Sequence, residues 1–269
     1  MKISVITPVY NSQSTIAANI RSVVEQNYAD FEHIIIDNLS TDNTLNIIDG
    51  FYFNNNIGEK LKIISEKDEG ISDAFNKGLN AASGELTVIL NSDDEFYSPK
   101  FFNDVVEVFQ NNPNLLIVHG DIFFEDKKYG SNIRQPLKNK AAGIHFNHPG
   151  MFIKKELYNK IGMYNKSFKV SMDFELYCRI YKNYDIEKIS YYLNKYPFVK
   201  MRAGGTSWEN EFQSIYEIKK ALKLNDLWDY HGRKFYYQRY FRTIVKNVLS
   251  KVGLSNTVKM WRNYKWKNK

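Results

Sequence analysis

The stretch Leu86-Thr87-Val88-Ile89-Leu90-Asn91-Ser92-Asp93-Asp94 constrains this chain more than any other. Five residues of strand-forming character lead into a polar turn that carries two adjacent carboxylates. A strand apolar on both faces belongs in the middle of a covered parallel sheet. Ligands of such sheets lie beyond the carboxyl ends of the strands. Paired Asp residues there suit a divalent cation with hard oxygen ligands, and the cation in turn suits a diphosphate. A solvated acidic turn closing a strand is the alternative that this stretch alone leaves open.

The residues before it set the context. Ile3–Thr7 reads as a strand that stops at Pro8, and Ile16, Ala17, Ile20, Val23 and Val24 follow at helical spacing. His33–Ile36 is a second strand running into Asp37-Asn38-Leu39-Ser40-Thr41-Asp42, with a helix pattern at Leu45, Ile47 and Ile48. Lys62–Ser65 is a third strand, and Ile71, Ala74, Phe75, Gly78, Leu79 and Ala82 mark a helix face with small residues for close packing. Strand and helix alternate, and every strand exit is polar or acidic. The expected fold is therefore α/β, a mostly parallel central sheet with helices on both faces. A dinucleotide-binding domain would place Gly-x-Gly-x-x-Gly after the first strand; here that turn reads Thr7-Pro8-Val9-Tyr10-Asn11, which disfavours it.

At 269 residues the chain can bury a full core. No apolar run approaches the roughly 20 residues of a membrane-spanning helix. Met1-Lys2 leads directly into a strand-like run, so no signal peptide is expected. The single Cys178 excludes an internal disulfide and fits a reducing compartment. The formal charge of +7 is unevenly placed. From His231 to Lys269 there are eleven Lys and Arg and no Asp or Glu, whereas the first 230 residues carry 26 basic and 30 acidic residues.

Several short motifs then carry a resemblance. Thr7-Pro8-Val9-Tyr10-Asn11, Ile36-Asp37-Asn38, Asp68-Glu69-Gly70, Asn76-Lys77-Gly78 and Leu90-Asn91-Ser92-Asp93-Asp94 appear in order, followed by His148-Pro149-Gly150-Met151-Phe152, Ile161-Gly162-Met163-Tyr164 and Ser171-Met172-Asp173-Phe174-Glu175. Together they resemble the inverting family 2 glycosyltransferases of the GT-A fold, in the branch that builds bacterial surface polysaccharides. The resemblance covers residues 1–205, with a nucleotide-sugar half (1–98) and an acceptor half (99–205). Residues 206–269 form a basic, aromatic-rich helical extension.

The resemblance implies the following roles. Thr7, Pro8, Tyr10, Asp37, Asn38, Asp68, Asn76 and Asp93 bind the donor, Asp93 and Asp94 hold Mn2+ or Mg2+, and Asp173 is the general base. His148 and Glu175 lie on the acceptor side, Glu175 as the runner-up base. Asp73 is read as facing the same crevice as Asp68. The sequence departs from the family pattern at Asn38 and Asn91, where acids are common, and at Phe75, where relatives carry Arg. An ordinary turn capped by Ser40 and Asp42 is the alternative after the second strand. Zinc at His145 and His148 is disfavoured, because neither a Cys partner nor a His-Glu-x-x-His pattern accompanies them.

In the extension, Tyr237, Tyr240, Phe241, Ile244, Val245 and Val248 form one helical stripe with Arg239, Arg242 and Lys246 opposite. Trp261, Tyr264 and Trp266 interleave with Lys259, Arg262, Lys265 and Lys267. An anionic membrane surface, packing on the catalytic domain or a second subunit, and nucleic acid compete for this segment, with nucleic acid least favoured. The expected function is transfer of a sugar from a nucleotide donor, a UDP-sugar, to a hydroxyl of a glycan or lipid-linked oligosaccharide. The expected place is the cytoplasm, peripheral on the inner face of the cytoplasmic membrane. A sugar-nucleotide pyrophosphorylase, or a non-catalytic nucleotide-sugar or nucleic-acid binder, is the alternative.

Overall fold

A computed structural model describes residues 1–126, 131–136, 146–202 and 210–254. His145, Gly204, Gly205, Trp208 and the aromatic-basic run from Lys259 to Lys267 lie outside the described residues. The first half is the alternating unit expected. It runs β1 (Ile3–Val9), α1 (Ile16–Val24), β2 (Phe31–Asp37), α2 (Thr44–Asn54), β3 (Leu61–Ser65), α3 (Ile71–Ala81) and β4 (Leu86–Ile89). β1 pairs in parallel with β2 and β4, and β2 pairs in parallel with β3.

Both faces of this sheet are covered, which is why its strands are nearly continuous apolar runs. Along β2, Ile34 and Ile36 join Ile6 of β1 in the cluster beneath Phe75 and Leu79 of α3. Ile35, between them in sequence, points the other way, to Ile16 and Ile20 of α1 and Ile48 and Tyr52 of α2. Gly78 lets α3 settle on β1. A Cβ there would lie 2.2 Å from Ile6 Cγ2, closer than any real contact.

The second half completes the sheet differently. It comprises β5 (Glu95–Phe96), α4 (Phe101–Asn111), β6 (Ile117–His119), β7 (Ile122–Glu125), β8 (Asn132–Arg134), β9 (Phe152–Lys154), α5 (Lys155–Ile161), α6 (Met172–Asn183), α7 (Ile186–Ile189), β10 (Ser190–Tyr192) and β11 (Val199–Arg202). The seven-stranded order is β10-β6-β9-β4-β1-β2-β3. β9 is inserted antiparallel between β4 and β6. A second sheet, β5-β11-β7-β8, begins directly after the Asp93-Asp94 turn. Helices α8 (Glu211–Leu224) and α9 (Tyr230–Lys251) close the described chain, and α8 contributes Ile218, Ala221 and Leu222 to the core shared with α6. Among the described residues no helix is long and apolar enough to cross a membrane.

Candidate active site

The exits of β1, β2 and β4 lie side by side, and backbone bonds carry the pairing past the strand ends. Asn38 N–H donates to the Val9 carbonyl (3.0 Å), Glu66 N–H to Asp37 (3.0 Å) and Leu90 N–H to Ile6 (3.0 Å). One edge therefore presents Pro8, Tyr10, Asn38, Asp68 and the acidic turn. Tyr10 is 59% exposed, and Pro8, Asn38, Asp68 and Asp93 are half-buried.

Three of the donor residues expected from sequence have their side chains engaged inside the fold. Thr7 is fully buried, and its Oγ1 lies 2.9 Å from Nε2 of His33, whose Nδ1 is 2.6 Å from the Tyr52 hydroxyl. Asp37 is fully buried and accepts from the Ser40 N–H (3.1 Å) and the Ser65 hydroxyl (2.6 Å), so its carboxylate shapes the turn. Asn76 uses both ends of its amide on the Tyr164 backbone, donating to the carbonyl at 2.8 Å and accepting from the N–H at 2.9 Å. Asp73, read as facing the crevice, is paired with Lys77 (3.5 Å) and Lys166 (3.2 Å). Phe75 stacks on His148 with ring centroids 5.6 Å apart and brings no cation. Asn38 Oδ1 accepts the Asp68 N–H at 2.9 Å, which fixes its amide orientation and leaves Nδ2 turned to other partners. Asp42 accepts from the Thr44 N–H two residues on (3.0 Å), an Asx turn ahead of α2, whose N-cap position is Asn43 with no side-chain capping bond.

The turn after β4 is held rigidly. Asn19 of α1 donates through Nδ2 to the carbonyls of Asn91 (2.8 Å) and Asp94 (2.9 Å), and Ser12 Oγ lies 3.0 Å from Ser92 Oγ. Asp94 is buried at 1% exposure, beside half-buried Asp93. Burial first, then the Asp93 charge, pushes the Asp94 carboxyl well above the usual carboxylate range, against a bond from Asn91 and the nearby Arg202. Two further acceptors here, Asn19 Oδ1 and Asn91 Oδ1, are buried and have no donor. Hard oxygens short of positive charge are what a Mg2+ or Mn2+ ion satisfies. Among the described residues no group of three or more His, Cys, Asp or Glu forms a metal cage. The arrangement fits an ion held by one or two carboxylates that takes its other ligands from phosphate. Arg202 on β11, which the sequence reading missed, donates to Glu95 at 2.7 Å, and its charge opposes the rise of the Asp94 pKa.

On the far side, Asp173 sits half-buried in the first turn of α6, with its Oδ1 accepting the Phe174 N–H at 2.7 Å. It makes no ion pair among the described residues. His148 lies close enough to interact with it electrostatically; burial lowers the imidazole pKa and Asp173 opposes that. His148 Nε2 is 3.1 Å from the Tyr164 hydroxyl. Glu175 is turned into the fold. It is 1% exposed and paired with Arg179 through Nε (2.9 Å) and Nη2 (2.8 Å). Arg179 in turn donates to the carbonyls of Ile161, Gly162 and Met163. That fork ties Glu175 to the Ile161–Met163 backbone and occupies its carboxylate.

Two helices of the extension contribute. Glu217 of α8 is buried and accepts the backbone N–H groups of Lys169 (2.9 Å), Val170 (2.9 Å) and Ser171 (2.8 Å), which fixes the approach to Asp173. Its signal in sequence is an acid inside the buried stripe Ser214, Ile215, Ile218, Ala221. On α9, Phe235 stacks on Phe174 at 5.7 Å, and Arg239, one turn further, feels the Asp173 and Glu211 charges.

With the geometry in place, comparisons with known proteins become informative. The profile of Glycosyl transferase family 2 matches residues 4–189. A PGL/p-HBAD biosynthesis glycosyltransferase of Mycobacterium bovis (strain BCG / Pasteur 1173P2) is 28% identical over 180 residues, 67% of this chain and 70% of its own. S. aureus TarS 1–349 in complex with UDP-GlcNAc superposes with a TM-score of 0.66 at 19% identity over 84% of this chain, which spans 65% of that one. Mannosyltransferase PcManGT from Pyrobaculum calidifontis, in complex with GDP-Man and Mn2+, gives 0.63 at 15% identity over 98% of this chain and 82% of its own. At these identities the two structures share the fold with this chain. The profile match runs from β1 to α7 and takes in the acidic turn and Asp173, and the chain belongs to glycosyl transferase family 2.

Proposed function

We propose that this chain is a metal-assisted inverting glycosyltransferase. It moves a sugar from a UDP-sugar to a hydroxyl of a glycan or lipid-linked oligosaccharide during assembly of a bacterial surface polysaccharide. The observation that carries the reading is the rigid, cation-deficient turn Asn91–Asp94 at the exit of the central strand, in a chain of this family. Residues 1–98 supply the donor half, with Pro8, Tyr10, Asn38 and Asp68 bordering the nucleotide. Residues 99–205 supply the acceptor half, and α8 and α9 brace it.

The acceptor hydroxyl forms its bond to the sugar C1 on the face opposite the diphosphate, the C1–O bond to the diphosphate breaks, and Asp173 takes the hydroxyl proton. His148, held by Tyr164 and Phe75, borders the same space. Asp93 and Asp94 would hold a divalent cation, which when bound would supply Lewis-acid assistance to the leaving group. A biosynthetic role is supported by the name of the mycobacterial relative, a PGL/p-HBAD biosynthesis glycosyltransferase. The uridine carrier is supported by the ligand named for TarS, and the GDP-Man named for PcManGT makes the base the quantity to measure.

Thermal unfolding with UDP- and GDP-sugars, with and without Mn2+, tests this. A matching donor at 100 times its Kd adds about 2.7 kcal/mol. Stabilisation is expected from UDP-sugars, only with the metal, and is lost in Asp93→Asn. No metal-dependent stabilisation by any nucleotide sugar would overturn the reading.

A further inference from the structure

Helix α9 is mounted with its apolar stripe outward. Phe235, Thr243 and Lys246 face the body: Phe235 on Phe174, Thr243 buried, and Lys246 paired with Glu211 at 2.7 Å. Tyr237, Phe241, Val245, Val248 and Val252 recur every three or four residues, share one face, and are all exposed, Phe241 at 61% and Val252 at 63%. The stripe runs to the end of the helix, where Gly253 at φ 80° and the Leu254 N–H bond to the Leu249 carbonyl (2.8 Å) close it.

The stripe continues sideways through rings in contact. Trp228 meets Tyr236 (5.3 Å), Tyr236 meets Tyr240 (5.9 Å), and Tyr240 meets Phe241 (6.0 Å). Tyr236 and Tyr240 line a groove of about 690 Å3 against Phe212 and Tyr216 of α8, rimmed by Lys219 and Lys223. Exposed Arg233, Lys234, Arg242 and Lys251 lie along α9. Beyond it the sequence adds five more Lys and Arg and no acid.

We propose that this α8–α9 face docks on an anionic phospholipid bilayer, with the stripe entering the acyl boundary, the Trp and Tyr rings at the headgroup level and the cations on the lipid phosphates. Apolar bodies with polar tips suit that boundary, and surface cations add to attachment there. The charge argues against a second copy as occupant, since two such faces would set like charges together. The inference does not depend on the transfer chemistry.

Co-sedimentation of the full chain with phosphatidylcholine vesicles, with and without phosphatidylglycerol, tests it. Binding is expected only with phosphatidylglycerol, weakening as salt rises, and at least tenfold weaker for Phe241→Asp/Val248→Asp. Both positions are exposed, so the variant's circular dichroism and nucleotide-sugar binding should match the parent. Arg233→Glu/Lys234→Glu provides a second variant with the same expected direction. Equal binding by both variants, no binding by the parent, or a concentration-dependent dimer in place of vesicle binding would each overturn the proposal.

Discussion

His33 shows how much a single buried group sets the behaviour of the donor edge. It sits between Thr7 and Tyr52 with no exposure, and burial pushes its imidazole pKa down to about 3. In the unfolded chain it titrates near 6.5. Below about pH 6.5 the unfolded state therefore takes up a proton that the native state refuses. The stabilisation is complete above that pH and is lost at about 1.4 kcal/mol per pH unit as the pH falls toward 3. Urea unfolding at pH 7 and pH 5 is expected to differ by about 2 kcal/mol from this group. His33→Gln should flatten that difference; an unchanged slope would mean His33 is not held neutral. The acids of the site divide by the same logic of burial and partners. Asp37 and Glu175 are consumed by bonds inside the fold, while Asp93 and Asp173 are half-buried.

At the scale of elements, α8 acts on α6. Glu217 delivers one carboxylate to three consecutive N–H groups, and Gln213 adds a fourth bond at 2.9 Å. Burial opposes ionisation here, but the bonds outweigh it and the carboxyl pKa is lowered. Glu217→Gln should cost about 1–3 kcal/mol in chemical unfolding. It should also reduce turnover more than donor affinity, because the loop it holds leads to Asp173. Unchanged turnover would make Glu217 a purely structural acid. The β-α alternation up to Asp94 was legible because its periodicity is local. β9 was not, since three residues, Phe152–Lys154, find their place by pairing with Leu86–Val88 and with β6, far away in sequence. The bonding of Asn76 was hidden for the same reason: its partner, Tyr164, is 88 residues on. Acidic strand exits announce a site from sequence, but which acids remain available depends on such distant partners.

Across the whole molecule, the extension is both brace and boundary. The sequence showed an apolar stripe and a basic face on α9, and neither says which one turns inward. In the structure Lys246 pairs with Glu211 and Arg239 feels the charges of Asp173 and Glu211, while the stripe faces out. The proposed acceptor side is therefore built by α6, α8 and α9 together, and the proposed donor side by the strand exits. The account stands on Asp173 serving as the base between them. The most direct measurement is nucleoside diphosphate release on adding acceptor, comparing the parent with Asp173→Asn at matched donor occupancy. A positioned base contributes about 10²–10⁴-fold, so release should fall by that factor with donor affinity unchanged. A variant that keeps most of its turnover would contradict the account.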